Sequence, residues 1–148
     1  DVGATNRIRE IASYFNAEMV ICDKHRKRAN EIASMVVIGD VTDRDVVIID
    51  DICDTGGTLA KSAGLLKEKG ARSVRALITH PVLSGKAYEN IENSVLEELI
   101  VCDTIPVKKE SSKIKVLSVA ELFAVAIRNA YENKSITSLF IHSQRRDK

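Results

Sequence analysis

A chain of 148 residues, 45% apolar and 29% charged, is long enough to bury one core, so a single globular domain over 1–148 is expected. Its formal net charge of +1 gives no reason to expect nucleic acid or an acidic membrane as partner, since these need a dense basic patch, and a small-molecule ligand fits better. No apolar run approaches the roughly 18 to 20 residues that span a bilayer, no secretory leader opens the chain, and Cys22, Cys53 and Cys102 lack the spacing of a disulfide framework or zinc site, so a reducing, cytoplasmic home is expected.

From Thr5 onward, Ile8, Ile11, Ala12 and Phe15 recur at helical spacing, and Met19 to Cys22 form a short apolar run, which predicts a helix followed by a buried strand. Asp23 to Glu31 gathers Lys24, His25, Arg26, Lys27 and Arg28 without periodicity, the pattern of an exposed loop. Met35 to Ile38 reads as a second strand. The β-branched run Val46-Val47-Ile48-Ile49 ends in Asp50 and Asp51 and predicts a central strand, covered on both faces, that stops where the acids begin.

Gly56 and Gly57 lead into Thr58 to Lys69, where Leu59, Ala63 and Leu66 lie opposite Lys61, Lys67 and Glu68 and Gly70 closes the run. This is an amphipathic helix with a glycine stop. Ser73 to Thr79, Leu96 to Val101 and Lys115 to Leu117 read as strands, and Ser84 to Asn93 as a short helix. Ser118-Val119-Ala120-Glu121 matches a capping box ahead of a last helix carrying Leu122, Val125 and Ala126. Strands and helices alternate, so the expected class is α/β, a parallel twisted sheet with helices on both faces and ligands at the carboxyl ends of the strands.

The segment from Val46 to Thr58 joins a buried strand, a carboxylate pair and a glycine turn into a helix. Each part suits a sugar phosphate. Gly56 and Gly57 let the backbone approach closely, helix-start N–H groups and the helix dipole favour an anion, and Thr55 and Thr58 add hydroxyl donors. A phosphate held there would bring its sugar over Asp50 and Asp51, whose oxygens suit ribose hydroxyls or a hydroxyl-bound magnesium ion. Any one of these residues alone would be an ordinary strand end or turn. The string DDICDTGGT as a whole is more specific, and it is neither a Walker A loop nor a Rossmann fingerprint. His80, ahead of Pro81, reads as structural, and no role is assigned to Cys53.

DDICDTGGT resembles the phosphoribosyl pyrophosphate motif of type I phosphoribosyltransferases and of ribose-phosphate pyrophosphokinases, and further segments favour the second group. Asp1-Val-Gly-Ala-Thr-Asn-Arg7 resembles a loop whose aspartate, here Asp1, helps hold magnesium. Asp23-Lys24-His25-Arg26 followed by Ala29-Asn30-Glu31 resembles a catalytic loop whose lysine and arginine are Lys24 and Arg26. Ser135 to Phe140 resembles a serine-rich tail of a regulatory phosphate or ADP site, with Ser135, Ser138 and Phe140 the corresponding positions. By pattern alone a basic cluster is more often a solvated loop, so His25, Lys27 and Arg28 are read as surface charge.

The resemblance implies a type I phosphoribosyltransferase-like fold and a transferase of nucleotide biosynthesis that moves pyrophosphate from ATP to ribose 5-phosphate. Asp50, Asp51, Asp54, Thr55, Gly56, Gly57 and Thr58 would bind the sugar phosphate, with Mg2+ as cofactor. It also implies that the chain, which opens on Asp1 and not on a methionine, is the C-terminal half of a two-domain enzyme that assembles as dimers or hexamers. A type I phosphoribosyltransferase would lack the Lys24/Arg26 loop and the tail. Against a non-catalytic partner subunit stand the intact sugar-phosphate loop and the basic pair.

Overall fold

The computed structural model describes residues 2–25 and 34–140. The described residues fall into two compact units, one within 20–117 and a second made of residues within 2–19 and 118–140.

In the larger unit, β1 (Ile21–His25) and β2 (Ser34–Ile38) make an antiparallel pair, with Ile21 opposite Ile38 and Lys24 opposite Met35. Asp23, Lys24 and His25 therefore extend the first strand instead of opening a loop. Main-chain pairing with β2 outweighs their weak side-chain preference for strand. Residues 26–31, the rest of that expected loop, lie outside the described residues.

The main sheet is parallel, in the order β3 (Asp45–Cys53), β4 (Ser73–Pro81), β5 (Glu98–Cys102), β6 (Ile114–Leu117). Register aligns Ile48, Ala76, Leu99 and Ile114 in one row across the sheet. Two corrections to the sequence reading follow. β3 continues through Asp50 and Asp51 to Cys53, because Asp50 and Ile52 still pair with Ile78 and His80. It is also an edge strand of this sheet and not a central one, since successive crossovers carry each new strand further in the same direction.

β4 and β5 are the interior strands, and in β4 Val74, Ala76 and Ile78 are buried while Arg75, Leu77 and Thr79 alternate outward. Helices α2 (Gly57–Glu68) and α3 (Ala87–Glu92) pack on each other, and their buried residues share one core with those strand residues. Right-handed crossovers that advance the same way place their helices on the same side. Within this unit α2 and α3 lie against one face of the sheet. On the other face Val47, Leu77 and Leu117 are 49%, 37% and 60% exposed.

Helix α2 buries Leu59, Ala63 and Leu66 at spacings of four and three, which places them on one stripe. It ends in a Schellman motif. The Ala71 N–H donates to the Leu66 carbonyl and the Gly70 N–H to that of Lys67, with Gly70 at φ 95°, so the glycine stop forms as the sequence predicts. Tyr88 of α3 accepts the N–H groups of Lys108 and Lys109 at 3.1 and 3.2 Å, which pins the β5–β6 connection. At the amino ends of the strands Asp45 accepts from Arg72 Nε at 2.9 Å and Ser73 Oγ at 2.6 Å. These bonds, with the arginine's charge, hold its carboxyl far below the usual carboxylate range.

In the second unit α1 (Val2–Tyr14) half-buries Ile8, Ile11 and Ala12, but it ends one residue before Phe15, which is exposed and set edge-on to the Tyr14 ring. α4 (Ala120–Tyr131) starts without the expected capping box. Val119 occupies the cap, and Ser118 Oγ accepts the N–H of Ala120 at 3.3 Å. The helix begins one residue later than the box requires, so Glu121 stands at the second helical position instead of the third. It still places a negative charge where the dipole favours one. Among the described residues no helix is long and apolar enough to cross a membrane.

Candidate functional site

The carboxyl edge of β3 and the start of α2 bring seven of the expected residues into one continuous turn, Asp50 to Thr58. Asp50 Oδ1 accepts the N–H of Asp51 at 2.9 Å. Burial pushes the Asp50 carboxyl above the usual range, assisted by the Asp51 charge and opposed by that N–H. A carboxyl shifted by partial burial beside a second acid marks this strand tip as a candidate site.

After them the chain turns inward at Cys53, whose side chain is buried in the core. Burial pushes this thiol up, against a smaller downward pull from the Gly56 backbone N–H. Gly56 adopts φ 70°, ψ −6°, a left-handed conformation that glycine enters at little cost. It also lies close under α3, since a Cβ there would meet the Ala87 carbonyl oxygen at 3.3 Å.

Gly56 is the cap of α2 and provides no side-chain bond, and there is no acid in the first turn. The first intrahelical bond of the turn runs from the Ala60 N–H to the Gly56 carbonyl at 2.9 Å. The leading N–H groups of α2 thus have neither side-chain cap nor helical partner. Thr55 and Thr58 are exposed beside them. The geometry is that of an anion cradle built from backbone donors and hydroxyls, with the helix dipole behind it.

Two residues the sequence reading did not single out complete the turn. Ser84, in the β4–α3 connection, donates its hydroxyl to Asp54 Oδ1 at 2.5 Å and its N–H to the Asp54 carbonyl at 3.0 Å. Asn90 of α3 donates Nδ2–H to the Thr55 carbonyl at 2.8 Å. Both lie at least 30 residues from their partners, and neither belongs to a local motif, so only the folded chain identifies them. His80 is fixed to the β5–β6 connection. Its Nδ1 lies 2.9 Å from Thr104 Oγ1, which in turn donates to the Thr79 carbonyl at 2.8 Å.

The other expected site residues are elsewhere. Lys24 has its backbone in β1, whereas Asp1 and Arg26 lie outside the described residues. Ser135 and Ser138 are exposed at a 3-10 turn, Thr137–Leu139, in the second unit, and Phe140 follows it at 54% exposure. There the Ser135 hydroxyl donates to Thr137 Oγ1 at 2.9 Å and accepts the Thr137 N–H at 3.1 Å. Among the described residues no three His, Cys, Asp or Glu side chains group as a metal cage. The carboxylates at the strand tip suit an ion that is mostly carried by substrate oxygens and water, which is the usual manner of magnesium.

An open parallel sheet with a glycine turn and an uncapped helix start at its carboxyl edge makes this an α/β domain, and in that class ligands lie at the carboxyl ends of the strands. Residues 12–141 match the phosphoribosyl synthetase-associated domain, and the chain belongs to that family. It is 55% identical to the ribose-phosphate pyrophosphokinase of Wolinella succinogenes and 54% identical to that of Campylobacter jejuni, in each case over 95% of this chain and 46% of the relative. A crystal structure of phosphoribosylpyrophosphate synthetase from Mycobacterium smegmatis superposes with a TM-score of 0.75 at 34% identity, covering 86% of this chain and 42% of the other. The chain thus spans a little under half the length of the curated relatives it matches. The parallel sheet flanked by helices is the fold of that synthetase structure.

Proposed function

We propose that this chain is the sugar-phosphate half of a ribose-phosphate pyrophosphokinase, a single phosphoribosyltransferase-like domain forming the C-terminal part of the enzyme. The observation that carries the reading is the turn itself: Asp50 and Asp51 at the carboxyl tip of β3, then left-handed Gly56, then the uncapped start of α2. The 5-phosphate of ribose 5-phosphate is held by the N–H groups of Gly57 and Thr58 and by the hydroxyls of Thr55 and Thr58. Asp54, oriented by Ser84, and the Asp50/Asp51 pair accept from the ribose hydroxyls.

In the reaction, the anomeric oxygen loses its proton and bonds to the β-phosphorus of ATP, while the bond from that phosphorus to the α-phosphate oxygen breaks and AMP leaves. Negative charge spreads over the phosphoryl oxygens, so positioning and cations contribute more than covalent catalysis. Lys24 and Arg26 supply two of those cations. A magnesium ion would supply positive charge to the phosphates of the substrates, and Asp1 would be its protein ligand. Ser135, Ser138 and Phe140 belong to a regulatory anion site of the assembled oligomer, and a cytoplasmic location accords with three unpaired cysteines.

The test is calorimetric titration of the chain with ribose 5-phosphate and magnesium, alongside an Asp54→Ala/Thr58→Ala variant. Saturable binding in the parent that is lost in the variant supports the assignment. A folded parent that does not bind would overturn the assignment of sugar-phosphate binding to this half.

A further inference from the structure

The sugar-phosphate loop is not shaped by β3 and α2 alone. The carbonyl of the peptide between Thr55 and Gly56 accepts from Asn90 Nδ2 at 2.8 Å. A trans peptide is planar, and its C=O and N–H point in opposite directions. Holding the carbonyl therefore restrains the whole peptide plane, the Gly56 N–H included. That plane leads directly into Gly56 at φ 70°, the turn that swings the Gly57 and Thr58 N–H groups toward an incoming anion. A Cβ on Gly57 would lie 3.9 Å from both Asn90 Nδ2 and Thr55 Oγ1, which sets the amide beside the donors it orients.

We propose that Asn90 is a positioning residue for the sugar phosphate, acting through the Thr55–Gly56 peptide without contacting the reacting atoms. The inference rests on the reading of this loop as the ribose 5-phosphate site. A purely structural role, tying α3 to the sheet, fits less well, because α3 is held there by other means. Ala87 and Ile91 are fully buried, and the Leu83 and Ser84 N–H groups bond the Cys53 and Asp54 carbonyls at 3.1 and 3.0 Å. Losing the Asn90 bond leaves the helix docked and frees the peptide plane. The backbone donors then spend less time aligned, so affinity for the anion falls while the fold persists.

Two variants of the full chain separate these roles. Asn90→Leu keeps the side-chain size and removes the donor, and Asn90→Asp keeps the shape and turns an acceptor toward the carbonyl. Each is compared with the parent in thermal melting, in amide exchange of Gly57 and Thr58 without ligand, and in titration with ribose 5-phosphate and magnesium. The expected result is a melting temperature within about 3 °C of the parent, faster exchange at both amides, and binding roughly threefold to tenfold weaker for Asn90→Leu, weaker still for Asn90→Asp. If the parent binds and both variants match it, the positioning role is overturned and the loop keeps its assignment. Weaker binding matched by a large fall in melting temperature overturns it in favour of a structural role. A folded parent that does not bind removes the loop assignment and the role of Asn90 together.

Discussion

Adjacent glycines in the turn between β3 and α2 make opposite demands, and replacing each by alanine separates them. Gly56 sits at φ 70°, where a side chain costs roughly 1–2 kcal/mol. Its Cβ would also press on the Ala87 carbonyl oxygen at 3.3 Å and Ile91 Cγ1 at 3.4 Å. Both neighbours are fixed, one as backbone and the other as a fully buried side chain, so relief has to come from the loop itself. Gly57 has no positive φ, opens α2, and would place its Cβ 3.9 Å from its nearest neighbours, an ordinary contact. Gly56→Ala should therefore lower stability by about 1–2 kcal/mol, or roughly 3–8 °C in melting temperature for a chain of this size. Gly57→Ala should stay within about 0.5 kcal/mol of the parent. Urea unfolding of the three proteins, followed by circular dichroism, measures the difference. Equal effects at the two positions, or a tolerated Gly56→Ala, would refute the left-handed turn and the close packing of α3 beneath it.

Further outcomes follow from burial and charge. Leu66, 1% exposed where α2 meets the sheet, should cost about 2–5 kcal/mol on change to alanine, read as a lower urea midpoint at unchanged slope. The Asp45 carboxyl is held below its ordinary value by Arg72 and Ser73, so its contribution is complete above that value and fades as pH falls through the range below about 4. Asp45→Asn should flatten the acid limb of a melting-temperature profile, and an unchanged limb would count against the clasp. Asp50 is shifted the other way by burial, so the stability its protonated form contributes at low pH is lost as pH rises from its ordinary value through its folded value. Asp50→Asn should melt higher than the parent at neutral pH, lose that advantage below about pH 4, and bind ribose 5-phosphate more weakly.

Much of the fold follows from local pattern. The β-branched run at Val46–Ile49, the apolar stripe of Leu59, Ala63 and Leu66 and the glycine stop at Gly70 each carry their own periodicity or conformational requirement, and each forms where it is expected. Errors arise where partners elsewhere in the chain decide. Nothing within residues 45–53 reveals that β3 has a neighbour on one side only, because a β-branched run suits an edge as well as a centre. Lys24 reads as loop by composition, yet β2 draws it into a strand. The capping box at Ser118 fails by one residue of helix phase, below what spacing alone resolves. The candidate site divides similarly. Asp50 to Thr58 is contiguous and was legible as one string, whereas Ser84 and Asn90 reach it only through the β4–α3 return.

The most direct test of the sugar-phosphate assignment is residue-resolved: an amide NMR titration of the chain with ribose 5-phosphate and magnesium. If the uncapped start of α2 is the anion cradle, saturable shifts should concentrate at Asp54, Gly56, Gly57 and Thr58. Saturable shifts confined to another surface, such as the lysine-bearing connection 108–113, or a folded chain with no shifts at all, would contradict it.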